Sequence, residues 1–191
     1  FGDCGDTDLD AYVYDRAGNL VGRSENRQSP DADSCAPVER VRIVAPTRDW
    51  YWLKVVRHAG DPSTRFAVFA RDGSAWRTEP GSVADPASHP SAFTVGAVRA
   101  AGYVSNAAES FSSIGPTHGG VAKPDIAGPD GITTAIYGVT GFYGTSASTP
   151  AVAGALALLM SEDPTRTPRD AADILVANAL SGRATFQAAD G

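Results

Sequence analysis

The chain has 191 residues, of which 42% are hydrophobic, and a formal net charge of −6 at pH 7. That length accommodates one or two globular domains. An acidic balance without a Lys/Arg cluster excludes nucleic acid and anionic membrane as main partners. The longest apolar run is about ten residues, too short to span a bilayer. The chain opens on Phe1 with no signal peptide, which leads us to expect a processed or excised piece of a longer protein.

Residues 1–79 read as an all-β sandwich or jelly roll. Leu9, Ala11 and Val13 alternate with Asp10, Tyr12 and Tyr14, the period of a half-buried strand. Asp15 to Asn19 carries turn chemistry, with Gly18 free to take positive φ. A short strand at Leu20-Val21 follows, then a polar loop from Arg27 to Pro37. Val38–Val44 alternates again. Trp50–Val56 and Arg65–Phe69 have the strongest aromatic and β-branched content. The expected core is Leu9, Val13, Val41, Ile43, Leu53, Val55 and Phe66. Cys4 and Cys35 lie in no C-x-x-C pair and near no histidine, so zinc is not expected; a disulfide and two free thiols are both open.

Composition shifts to loop-rich sequence between Gly73 and Ser88. Residues 80–191 then read as α/β, with a buried strand over Ser91–Val98, a hairpin over Ile132–Tyr143 and a final amphipathic helix over Pro168–Asn178 capped by Thr167. Between the last two, a small-residue turn, Gly144-Thr145-Ser146-Ala147-Ser148-Thr149-Pro150, hands over to an apolar run reaching Met160. The run has no polar face and predicts a helix buried on all sides. Pro150 fits its first turn, which sets Ser146 at or just before the helix N-terminus. Ser is a favoured N-cap, and capping alone would account for it. A nucleophilic hydroxyl and the oxyanion it creates also favour the free N–H groups there.

The surrounding residues bear on that choice. Gly144 to Pro150 followed by Ala151-Val-Ala-Gly-Ala155 resembles the nucleophile segment of the subtilisin-like serine proteases, G-T-S-x-[AS]-x-P-x-V-A-G. Pro86–Val98, Ser110–Pro116 and Lys123–Pro129 are similar to further phrases of that family, in family order. In the last, K-P-D-I-x-A-P-G, Gly128 and Asp130 stand where alanine and glycine are usual. The resemblance covers residues 80–180. It implies an incomplete subtilisin-like parallel-sheet domain over 80–191, with Ser146 as catalytic nucleophile and Gly144 and Thr145 as the oxyanion and nucleophile turn. It further implies a polypeptide substrate and a secreted enzyme. In a secreted enzyme the disulfide choice is favoured, and a Cys4–Cys35 bond would close a loop of about thirty residues for roughly 3 kcal/mol.

The family's D-[ST]-G and H-G-[TS]-H-V-A-G phrases do not occur, nor does A-A-G-N for the oxyanion asparagine. Asp6, His118 and Ser146 imitate the Asp, His, Ser order, but no apolar helix follows His118 because Lys123-Pro124 intervenes. His58 and His89 flank turns. The expectation is that Asp, His and Asn lie upstream of Phe1, in a part of the same protein that is this chain's partner. Residues 1–79 would then be an inserted module, and the chain alone inactive. Asp8–Asp15 resembles the opening of the prepeptidase C-terminal type of jelly roll, some members of which bind calcium. Asp6, Asp8 and Asp10 are the candidates, though three alternating acids do not supply the ligands a hard cation needs. A solvated acidic edge is the simpler reading. The competing function is a degenerate protease half carrying a β-module that binds glycan or protein.

Overall fold

A computed structural model describes residues 7–28, 37–70, 78, 80–101 and 108–179. Cys4, Cys35 and Asp6 lie outside them. The chain divides into two units, Phe1–Val68 and Phe69–Gly191.

The first unit is built on strand β1 (Asp8–Tyr14), flanked by β2 (Leu20–Ser24) and β3 (Trp52–Ala59), both antiparallel to it. The β1–β2 connection forms as the sequence predicts. Gly18 takes φ 85°, and the Asp15 carboxylate accepts from the Asn19 backbone N–H at 2.8 Å and from its side-chain amide at 2.9 Å. These bonds hold the Asp15 carboxyl below its usual range, the Asn19 side chain contributing most.

Among the described residues this sheet has no second sheet facing it. Val38–Val44, expected as a strand, joins no ladder. It packs against β2 instead. A Cβ on Gly22 would lie 2.6 Å from Ile43 Cγ2 and 2.9 Å from Val41 Cγ1, so the missing side chain lets the segment lie on β2. Side-chain bonds pin it there: Ser24 Oγ accepts from Arg40 N at 3.2 Å, and Glu39 Oε1 accepts from Asn26 N at 3.0 Å and from the Gln28 amide at 2.7 Å. Arg65–Phe69 also forms no strand, and Phe66 and Val68 are each 55% exposed. Alternation marks a stretch that can be a strand but names no pairing partner. Of the expected core, Leu53 and Phe66 are exposed and the rest half-buried; among the described residues of this unit the buried apolar side chain is Ala11.

The second unit carries most of the buried apolar side chains, among them Val83, Ala97, Val98, Ala147, Val152 and Ala171. Strands β4 (Val95–Arg99) and β5 (Ile126–Asp130) pair in parallel, Val95 opposite Ile126 and Arg99 opposite Asp130. The loop between them is tied back by polar side chains. Buried Ser112 Oγ accepts from Ala97 N at 3.0 Å. The Lys123 ammonium, 1% exposed, donates to the Ala92 carbonyl and to Asp125 Oδ2 at 2.7 Å. The hairpin β6 (Ile132–Thr134) and β7 (Gly138–Phe142) follows, with the Tyr137 and Phe142 rings stacked 4.9 Å apart.

Helix α1 (Thr145–Glu162) packs on β4 and β5, and α2 (Pro168–Asn178) packs on α1. In α2 the expected cap forms in full. Thr167 Oγ1 accepts from Asp170 N at 3.2 Å, and Asp170 Oδ2 accepts from Thr167 N at 2.9 Å. α1 differs from expectation in two ways. It begins at Thr145, so Pro150 lies inside it rather than in its first turn; Pro150 thus lacks the N–H that would donate to the Ser146 carbonyl. It is also not buried on all sides. Ala153, Gly154, Ala157 and Leu158 are exposed, Leu158 to 72%, because the two-stranded sheet covers one face only. Among the described residues no helix is long and apolar enough to cross a membrane.

Candidate active site

Gly144 is the N-cap of α1, Thr145 its first residue and Ser146 its second. Gly144 adopts φ 102°, ψ 170°, a region that L side chains rarely enter. This conformation lets the Gly144 carbonyl face into the helix, where it accepts from Ala147 N at 2.9 Å and Ser148 N at 3.3 Å. Ala147 and Ser148 are fully buried while Ser146 is exposed. The helix rotation therefore turns Ser146 outward and its neighbours inward. No side chain caps the helix, so Ser146 is not an N-cap. Its backbone N–H belongs to the first turn, which has no intrahelical acceptors, and the positive end of the helix dipole lies there.

Two residues beneath the turn give it its position. Gly128 on β5 lets α1 approach closely: a Cβ there would lie 2.8 Å from the Ser148 carbonyl oxygen and 2.8 Å from Val152 Cγ2. Asp130 at the end of β5 is wholly buried, and its Oδ2 accepts from Gly144 N at 3.2 Å. These are the two positions where the Lys123–Asp130 phrase departs from the subtilisin-like pattern. The sequence marks them as unusual, but it gives no hint that both lie under the serine turn.

No histidine hydrogen-bonds Ser146 among the described residues. His118 is exposed, with its ring against Gly81, whose would-be Cβ lies 3.4 Å from His118 Cε1. It sits in a turn closed by Thr117 N donating to Val121 O at 2.8 Å, with Gly120 at φ 77°. His89 Nδ1 accepts from Ser91 N at 3.1 Å within its own turn. His58 lies in the first unit, where Nε2 is 2.7 Å from Asp10 Oδ2. The Tyr12 hydroxyl stands 2.8 Å from the same oxygen and 2.8 Å from Glu25 Oε1. The two carboxylates, Glu25 most strongly, hold the Tyr12 phenol well above its usual range.

That cluster corrects the picture of a solvated acidic edge, because Asp10 is 6% exposed. It also leaves little for calcium. Asp10 Oδ2 is taken by His58 and Tyr12, and Asp8 Oδ1 accepts from Gln28 N at 3.1 Å. Among the described residues no three acidic, histidine or cysteine side chains are grouped so as to hold a metal ion. The acids among the described residues do not fit a calcium site.

The subtilase family model, peptidase S8, matches residues 53–191. The chain belongs to the subtilase family. It is 37% identical over 113 residues to subtilisin NAT of Bacillus subtilis subsp. natto, covering 59% of this chain and 27% of that protein. The same identity over 113 residues holds for the subtilisin of Bacillus pumilus, with 38% of that protein covered, and for subtilisin E of Bacillus subtilis strain 168, with 27% covered. The chain thus spans well under half the length of these relatives. No solved structure matches the chain. The match begins inside β3, before the division between the two units.

Proposed function

We propose that this chain is the nucleophile-bearing part of a secreted subtilisin-like serine endopeptidase, and that Ser146 forms the acyl-enzyme. The observation that carries the reading is an exposed serine in the first turn of α1, on a Gly144 cap, with its own N–H free. In this reading Ser146 Oγ attacks the scissile carbonyl carbon and passes its proton to an imidazole. The carbonyl oxygen takes the negative charge and is met by the Ser146 N–H at the helix N-terminus. The intermediate then collapses, the amine leaves with the proton, and water hydrolyses the ester.

The imidazole, its orienting carboxylate and the side-chain oxyanion donor come from a part of the same protein upstream of Phe1. Supporting this are the bonding of His58 and His89 elsewhere, the placement of His118 over Gly81, and the short share of the relatives' length that the chain covers. Residues 1–79 then act as a module inserted in the protease. The isolated 191-residue chain has no measurable peptidase activity, since a serine without its base is a poor nucleophile near neutral pH.

A fluorophosphonate probe tests this. The complete protein labels at Ser146, Ser146→Ala abolishes labelling and proteolysis together, and the isolated chain does not label. Labelling of the isolated chain at Ser146 would mean that a local histidine serves as base. A complete protein that neither labels nor cleaves would instead favour a degenerate protease half with a binding module.

A further inference from the structure

Asp130 is the least expected residue near Ser146. Its side chain is wholly buried. Burying a carboxyl group is costly unless its oxygens find partners. Here Oδ2 has one, the Gly144 N–H at 3.2 Å, and Oδ1 has none among the described residues. Its cross-strand neighbour Arg99 bonds Glu109 Oε1 through Nε at 3.0 Å, and no ion pair joins it to Asp130 among the described residues.

What the carboxyl does is hold Gly144. Glycine has the widest backbone freedom of any residue, and Gly144 is the one residue between the hairpin and α1 that stands at φ 102°. Rotation about it would swing the Thr145–Ser146 peptide and with it both the nucleophile and the free N–H. That conformation has to be held from outside. The end of β5 holds it at two adjacent points: Asp130 bonds Gly144 N, and Gly131 receives the Tyr143 ring, whose Cε1 lies 3.0 Å from where a Cβ would stand. The hairpin leaves β5 after Asp130 and returns at Tyr143, so this clamp closes both ends of the excursion onto one place.

We infer that Asp130 is a positioning residue, acting through Gly144, that fixes the Ser146 hydroxyl and N–H in attacking geometry. The inference rests on Ser146 being the nucleophile. Asp130→Ala removes the acceptor; Asp130→Asn keeps an acceptor oxygen of the same reach.

The test has two readouts. The first is hydrogen exchange of the Gly144 amide in the 191-residue chain, which does not depend on catalysis. Asp130→Ala loses protection there while β5 amides keep theirs, and Asp130→Asn retains it. The second is the reaction of the complete protein. Misplacing reacting groups by about 1 Å costs up to about a hundredfold, so Asp130→Ala should lower kcat and the fluorophosphonate labelling rate by about tenfold or more, with KM little changed and Asp130→Asn restoring most of the rate. Unchanged Gly144 exchange in Asp130→Ala overturns the contact. Wild-type labelling and kcat in Asp130→Ala overturn the positioning role alone. A wild-type complete protein that does not label at Ser146 overturns the nucleophile reading and the positioning role together.

Discussion

Replacing Gly128 by alanine restores the residue usual in the family phrase, yet it should destabilise this chain. A Cβ at 128 would stand 2.8 Å from the Ser148 carbonyl oxygen and 2.8 Å from Val152 Cγ2, where ordinary contact begins near 3.4 Å. Val152 can shift its methyl group, but the carbonyl is helix backbone and moves only with α1. The helix must therefore retreat from β5 by about 0.6 Å at that point, the difference between those two distances. Overpacking of this kind costs about 1–3 kcal/mol. Alanine recovers about 0.4–1 kcal/mol by restricting the unfolded chain, leaving a net loss of up to about 2.6 kcal/mol and near 1.3 kcal/mol in mid-range. For a chain of this size the mid-range loss lowers Tm by roughly 3–5 °C. Urea unfolding should show a lower midpoint at unchanged m value. Gly154→Ala is the control: nothing lies within 4 Å of its would-be Cβ, it is exposed in mid-helix, and alanine there should stabilise by up to about 1 kcal/mol. A Gly128→Ala variant as stable as wild type would refute the close packing of α1 on β5.

Further outcomes follow from the polar clusters. Thr167→Ala removes the side-chain half of the α2 capping box, leaving the residue-167 N–H to donate to Asp170, and should cost about 1 kcal/mol, read as a lower urea midpoint with faster amide exchange in the first turn of α2. The same cap sets an acid limit. The Thr167 hydroxyl, and then the Thr167 N–H, hold the Asp170 carboxyl below its usual range. Because the folded value lies below the unfolded one, the stabilisation is complete above about pH 4 and is lost as pH falls through the lowered value. Protection factors in that turn, corrected for the intrinsic exchange rate at each pH, should fall on acidification through this window in wild type but not in Asp170→Ala. Tyr12 gives the opposite sign. Its raised phenol contributes stability that is present below about pH 10 and lost only as pH rises through the folded value. In a spectrophotometric titration Tyr12→Phe should therefore remove absorbance only from the most alkaline part of the curve, and a loss near pH 10 would refute the bonding to Glu25 and Asp10.

The second unit was far more legible than the first, for a physical reason. Thr167-Pro168 with Asp170 is a local signal, and the cap forms as written because every partner lies within one turn. Gly144 to Pro150 is also local, and it places the serine correctly to within a residue. Pro150 misleads slightly, since a proline can sit deeper in a helix when packing against β4 and β5 outweighs the lost bond. The first unit depends on pairing between distant stretches. Val38–Val44 has the right alternation for a strand, but its apolar side chains pack at Gly22 and the segment joins no ladder with β2. No pattern within residues 38–44 could reveal that, because the vacancy belongs to residue 22. The burial of Asp10 was hidden in the same way: its partners, His58 on β3 and Tyr12 beside it, meet only once the sheet has formed.

Gly128 and Asp130 each look like a local lapse from the family phrase, but their geometry makes them one adaptation. An Asp130 carboxyl can reach Gly144 N only if the start of α1 lies close over the end of β5. Gly128 permits that approach, since any Cβ at 128 meets Ser148, the residue two past the serine. Conversely, a helix drawn down by Gly128 without Asp130 would leave the Gly144 N–H buried against the strand with no acceptor, at a cost of about 1–3 kcal/mol. The two substitutions therefore favour each other. One sets the height of the helix over the sheet, and the other fixes the torsion at which the chain enters it. Position 129 between them remains the family's proline, exposed on the opposite face of the strand, where neither the helix nor the turn constrains it.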